Sequence, residues 1–259
     1  MRDGDRLILA CLGLSLVLVL LDGITGGGVA GWSQENLPGI AHMIGLWAGR
    51  IGLVLAPLVF LPLITGILGR FIKMRGLVWT LHERLIRLIE TVTRSIGGAA
   101  RWFALGLVVV TALIVVQRYV FGFASTKLQE SVIYMHALLF LLASASALLS
   151  GGHVRVDVFY SKASDKAKAW IDLFGTYLAL IPMSALILWS STGYMASAWR
   201  ILERSRESDG LPFVFLLKTA IPLFAILMII QGVAMAARAA MTLADQKTPE
   251  LPASLEADV

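Results

Sequence analysis

Residues 7–21 form an apolar run of 15 residues behind Arg2 and Arg6, and comparable stretches recur along the chain. A helix needs about 20 mostly apolar residues to cross a bilayer. Segments near that length lie around residues 7–21, 43–68, 101–119, 131–150, 170–194 and 212–240. Only 15% of residues are charged and 58% are hydrophobic, with a mean hydropathy of +0.80. Soluble domains carry roughly 25% charged residues, so the ordinary globular class is excluded. The expected fold is an all-α polytopic membrane protein of about six transmembrane helices. The polar stretch 242–259 is too short to be a soluble domain. The single cysteine, Cys11, permits no intrachain disulfide and no cysteine-based metal site.

The first run is short for a span. A cleaved signal peptide is the competing reading, with Gly28-Val29-Ala30 as a small-residue cleavage site. A second apolar segment follows at once, so a retained helix is expected, with the Gly-rich stretch 23–40 as a loop. Arg50, Pro57 and Pro62 interrupt the second segment. Proline kinks a helix, and Arg50 is expected to snorkel outward rather than bind substrate.

Between residues 77 and 96 the periodicity changes. Leu77, Val78, Leu81, Leu85, Leu88, Ile89, Val92 and Ile96 share one stripe. His82, Glu83, Arg84, Arg87, Glu90 and Arg94 occupy the other face. A basic amphipathic helix of this kind reads either as lying in the membrane interface over anionic headgroups or as packed on a partner protein.

Trp102 and Tyr119 bracket the third span as an aromatic belt would. A short turn at 122–127 pairs it with the fourth, where Ala143, Ala147 and Gly151 are spaced for close helix approach. His136 has no second histidine at matching depth, so a structural hydrogen bond is expected there rather than a redox ligand. Gly151-Gly152 ends that helix. Residues 153–159 then alternate polar and apolar, predicting an extended segment with Arg155 and Asp157 on one side. Pro182 falls near the middle of the fifth span. Arg200, Glu203 and Arg206 are spaced to pair on a helix face. Pro212 is placed to open the last helix, in which Lys218 is expected to snorkel rather than pair.

Basic residues set the orientation. With six spans, fifteen lie on the side of the N-terminus and seven on the other, together the 22 of the chain. The excess puts both termini in the cytoplasm. No phosphate-binding loop, His-Glu-x-x-His, Gly-x-Ser-x-Gly or internal repeat occurs, and the ionisable residues cluster at span ends. This reads as a non-enzymatic membrane scaffold without cofactors or a nucleic-acid partner. An independent small carrier and the membrane subunit of a haem or quinone enzyme are the alternatives.

Several motifs occur in order. They are Gln117-Arg118-Tyr119-Val120-Phe121, Glu130, His153-Val154-Arg155-Val156-Asp157, Ser205-x-Glu207-Ser208, Lys218-x-x-Ile221-Pro222 and Gln231-Gly232. Across about residues 101–241 the chain resembles the small membrane (Q) subunit of tripartite ATP-independent periplasmic (TRAP) transporters. The resemblance implies a large membrane subunit that carries sodium and an organic acid such as a C4-dicarboxylate by symport. A periplasmic binding protein delivers the substrate, and the small subunit braces the whole in a bacterial inner membrane. It makes Arg118, Tyr119, Glu130, His153, Arg155, Asp157, Glu203, Glu207 and Lys218 partner-interface candidates, and it admits a contact of 200–209 with the binding protein. The expected organisation is an N-terminal hairpin extension (1–75), an interfacial helix (76–100), a four-helix core (101–241) and a cytoplasmic tail (242–259), with membrane lipids as further partners.

Overall fold

The computed structural model describes residues 4–69, 71–72, 74–152, 160 and 162–250. Of the described residues 82% are helical, and none is in a strand. The expected extended segment 153–159 lies outside the described residues. In order the helices are α1 (Asp5–Ile24), α2 (Gly28–Val59), α3 (Leu61–Leu68), α4 (Gly76–Ala100), α5 (Trp102–Val120) and α6 (Thr126–Leu149). They continue as α7 (Asp165–Gly175), a π-helical turn (Thr176–Leu180), α8 (Ile181–Arg200) and α9 (Val214–Leu243). Among the described residues six helices or helix runs are long and apolar enough to cross a membrane.

The Gly-rich loop is much shorter than expected: α1 and α2 are separated by Thr25, Gly26 and Gly27 alone. Gly26 and Gly27 take positive φ values of 61° and 93°, which glycine alone adopts without a Cβ penalty. The turn is then closed by side chains. Thr25 Oγ1 accepts from Gly28 N–H at 3.2 Å, and Asp22 Oδ1 from Ala30 N–H at 2.8 Å. With the first N–H groups of α2 satisfied, its later glycines stay helical.

The prolines act locally. Phe60 breaks the ladder between Pro57 and Pro62, and Pro62 sits in the first turn of α3, where its missing N–H costs nothing. Pro182 has no N–H to offer the carbonyl four residues back. The widened π turn at Thr176–Leu180 precedes it and absorbs the mismatch, so residues 165–200 run on as 36 helical residues. Pro212 does not open the last helix, which begins at Val214.

The chain divides into two compact units. One comprises Gly52–Arg94, Ser144–Leu188 and Phe224–Val259. Its core is built on alanines of α9. Ala236 and Ala239 meet Ala169 and Leu173, Ala237 and Met241 meet Trp79 and Ile86, and Val233 and Ala234 meet Ile89. In lipid the hydrophobic effect does not drive helix association, so small residues that permit close contact take over. The Tyr177 hydroxyl donates to Val59 C=O at 2.5 Å.

In this unit α4 departs from the expected two-sided pattern. His82 and Glu90, placed on the charged face opposite the apolar stripe, are 0% and 4% exposed, whereas Leu77, Leu81 and Leu88 are exposed. The polar pair is buried because partners meet it. His82 Nε2 lies 2.9 Å from Thr65 Oγ1, and Arg238 donates to both Glu90 oxygens at 2.6 and 2.8 Å. Arg238 Nη1 also donates to Pro249 C=O at 2.6 Å.

The other unit comprises Met1–Ile51, Ser95–Ala143 and Trp189–Leu223. Gly4, with φ 89°, is tucked against the backbone of Ser95, Gly98 and Ala99, where no Cβ fits. Asp5 Oδ1 accepts from Arg101 Nη2 at 3.1 Å and Trp102 Nε1 at 3.2 Å. Neither α1 nor α2 buries a residue. Arg50, expected to snorkel, lies 5.3 Å from the Trp47 ring centroid in cation–π range.

Candidate functional site

Three of the residues singled out, Glu130, Glu203 and Lys218, lie where α5, α6, α8 and α9 are joined by two loops. Gln117 organises the first loop. Its C=O accepts from Phe121 and Phe123 N–H, both at 3.2 Å, and its Oε1 accepts from Ser125 N–H at 3.3 Å. Gly122, at φ 74°, makes the reversal.

The second loop, 201–213, is closed around one carboxylate. Glu130, in the first turns of α6, accepts from the Ser205 hydroxyl and from Leu211 N–H at 2.6 Å. Ser205 Oγ in turn accepts from Glu207 N–H at 3.1 Å, and Ser205 N–H donates to Leu211 C=O at 3.1 Å. Gly210 is needed because a Cβ there would strike the Ser205 side chain and come within 2.8 Å of Glu130 Oε1. Hydrogen bonds to a carboxylate are about twice as strong as neutral ones, so Glu130 holds the loop from both ends of its fold.

Glu203 and Lys218 form the second part of the cluster. Lys218 Nζ lies 2.5 Å from Glu203 Oε2 and 3.9 Å from the Tyr194 ring centroid. The expected snorkelling is therefore overturned. With its side chain 14% exposed, the ammonium sits where both a carboxylate and a π face meet it, which outweighs reaching for bulk water. The expected pairing of Arg200, Glu203 and Arg206 on a helix face is overturned as well. The helix α8 ends at Arg200, and Leu202 turns away at φ 45°. Trp199 Nε1 donates to Thr219 Oγ1 at 2.7 Å, and its ring meets Phe215 edge-on at 4.8 Å.

Glu130, Glu203 and Lys218 are thus brought together and satisfied within the chain. Arg118 and Tyr119 stand apart at the end of α5, Tyr119 81% exposed. The Glu207 side chain is exposed, as are Arg200, Arg204 and Arg206. No ion pair engages Arg118, Arg200, Arg204 or Arg206 among the described residues, whereas Asp209 pairs with Lys127 at 2.8 Å. His153, Arg155 and Asp157 lie outside the described residues. Sequence reasoning missed Tyr194, Gln117 as a loop anchor, and the Leu211 N–H. Gln117 and Ser205 carried a signal, their places in the Gln-Arg-Tyr-Val-Phe and Ser-x-Glu-Ser motifs.

Other chemistry is sparse. Among the described residues no group of three or more His, Cys, Asp or Glu side chains is placed to hold a metal ion. His136, where a structural hydrogen bond was expected, is exposed with its ring 4.6 Å from that of Phe140. Residues 107–242 match the family described as "Tripartite ATP-independent periplasmic transporters, DctQ component". No curated protein and no solved structure matched the chain.

Proposed function

Because this chain belongs to the DctQ component family of tripartite ATP-independent periplasmic transporters, we propose that it is the small permease subunit bracing a large, sodium-coupled membrane subunit that imports an organic acid. The observation that carries this reading is how charge is used within the matched region. Glu130, Glu203 and Lys218 satisfy one another or the loop 201–213, so they shape a rigid surface and do not carry a solute. A carrier of its own would be expected to place free ionisable groups near mid-span.

On this proposal the exposed Arg118, Tyr119 and Glu207 make the intermolecular contacts, and Glu130, Glu203 and Lys218 hold the backbone that presents them. The same reading assigns His153, Arg155 and Asp157 to the large subunit. The loop with free Arg200, Arg204 and Arg206 faces an acidic surface of the periplasmic binding protein, since unpaired charge of one sign steers such encounters. Both termini are cytoplasmic, as the basic excess requires, in the inner membrane of a bacterium. The organisation 1–75, 76–100, 101–241 and 242–259 then sets an appended hairpin and an interfacial helix beside the family core.

The test is co-purification. The chain is tagged, extracted in mild detergent from its native membrane, and its companions are identified. A single many-spanning partner is expected. A chain that purifies alone and moves a carboxylate in liposomes by itself overturns the proposal.

A further inference from the structure

The helix α4 has three faces, not two. Trp79, His82, Ile86, Ile89, Glu90 and Thr93 recur at intervals of three and four and are buried. They are held by Thr65 and Arg238 and by the packing of Trp79 and Ile86 on Ala237 and Met241. On one flank Leu77 (70% exposed), Leu81 (50%), Leu88 (65%) and Val92 (39%) form an apolar strip left exposed among the described residues. On the other flank Arg84 and Arg87 are exposed and take part in no ion pair among the described residues. Among the described residues Glu83 pairs with neither of them, and Glu90 is engaged by Arg238. Arg84 also borders the apolar strip, one turn from both Leu81 and Leu88.

We propose that this bare side of α4 is a binding surface for anionic phospholipid, with Leu77, Leu81, Leu88 and Val92 among the acyl chains and Arg84 and Arg87 on the headgroup phosphates.

Three features select a bilayer surface over a protein partner. The apolar strip and the basic strip lie side by side along the helix, the order that a boundary between hydrocarbon and headgroups imposes. Long arginine side chains can lie along the apolar strip while their guanidinium groups reach phosphate, which they bind in a two-pronged fashion. The helix also leads through Arg101 alone into α5, whose first residue is the exposed Trp102, a residue type favoured at the interface. The buried third face fixes the rotation of α4, so both strips are presented together without any reordering. This inference does not depend on which transporter subunit the chain contacts.

The test uses the full chain. In mixed micelles of phosphatidylglycerol and phosphatidylcholine, lipids retained by the purified protein are counted by native mass spectrometry. Wild type is expected to favour phosphatidylglycerol, and Arg84→Gln with Arg87→Gln to lose that preference by about fivefold per arginine. Arg204→Gln with Arg206→Gln serves as the control and should retain it. Separately, a fluorophore at Leu88→Cys in a Cys11→Ser background, in nanodiscs, should be quenched by lipids brominated on the acyl chain. An unchanged lipid preference in the Arg84/Arg87 variant overturns the proposal. So does a Leu88 probe that brominated chains do not quench, or that the large subunit shields when present, since the face then belongs to water or to protein.

Discussion

Breaking the Glu90–Arg238 pair should cost more than removing it. The Glu90 side chain is 5% exposed and that of Arg238 21%, and two N–H groups of one guanidinium meet the two carboxylate oxygens. Among the described residues Glu90→Ala leaves a largely desolvated guanidinium with the Pro249 carbonyl alone as a partner. Truncating one member of a buried pair typically costs about 3–5 kcal/mol. Because Arg238 is partly open to solvent, roughly 2–4 kcal/mol is the appropriate scale here. That is about 30- to 800-fold in the unfolding equilibrium. The double variant Glu90→Leu with Arg238→Met removes both charges and fills similar volume, and it should lie within about 1.5 kcal/mol of wild type. The assay is unfolding in mixed micelles of a mild detergent and dodecyl sulfate, followed by circular dichroism. A Glu90→Ala variant as stable as the double variant refutes the reasoning, because the cost then does not come from a stranded charge.

Three further outcomes follow from the same geometry. Glu130→Ala removes the acceptor of Leu211 N–H, so that amide should exchange with deuterium about 10- to 100-fold faster, from about 1.5–3 kcal/mol for a charged hydrogen bond; unaltered exchange over 205–211 would show that the loop is held otherwise. Gly232→Ala puts a Cβ 2.9 Å from Leu180 Cδ2 and 3.3 Å from Thr176 Cγ2 and should destabilise by about 1–3 kcal/mol through overpacking, read in the same micellar unfolding assay; wild-type stability would mean that the π turn yields freely. Glu207→Lys adds to the unpaired positive charge of loop 201–213 and should change uptake in reconstituted vesicles while leaving complex yield intact. Glu203→Lys faces Lys218 and should lower the yield itself, so equal behaviour of the two variants would contradict the separation of exposed and internal residues.

Much of the fold was legible because hydropathy and proline act over short distances. The six apolar segments became helices, and Pro57 and Pro62 broke one where expected. Boundaries were less legible. The sequence reads 23–40 as a glycine-rich loop, yet α2 carries Gly31 and Gly39 as helix, because hydrocarbon leaves backbone groups no other partner than their own helix. The site was half legible. The spacing singled out Glu130, Glu203 and Lys218, which the structure brings together, but what each one touches was not written in it.

Local sequence determined that this chain is helical, membrane-spanning and of the DctQ family, since those properties rest on runs, periods and motifs within a few turns of each other. Tertiary structure alone decided the partners of its charges. Glu90 and Arg238 are separated by 148 positions, and Glu130 and Leu211 by 81. It likewise decided which side of α4 is buried, because His82 and Glu90 turn inward where Thr65 and Arg238 on other helices meet them. Such partners are a property of which helices meet, and periodicity along one helix carries no record of that.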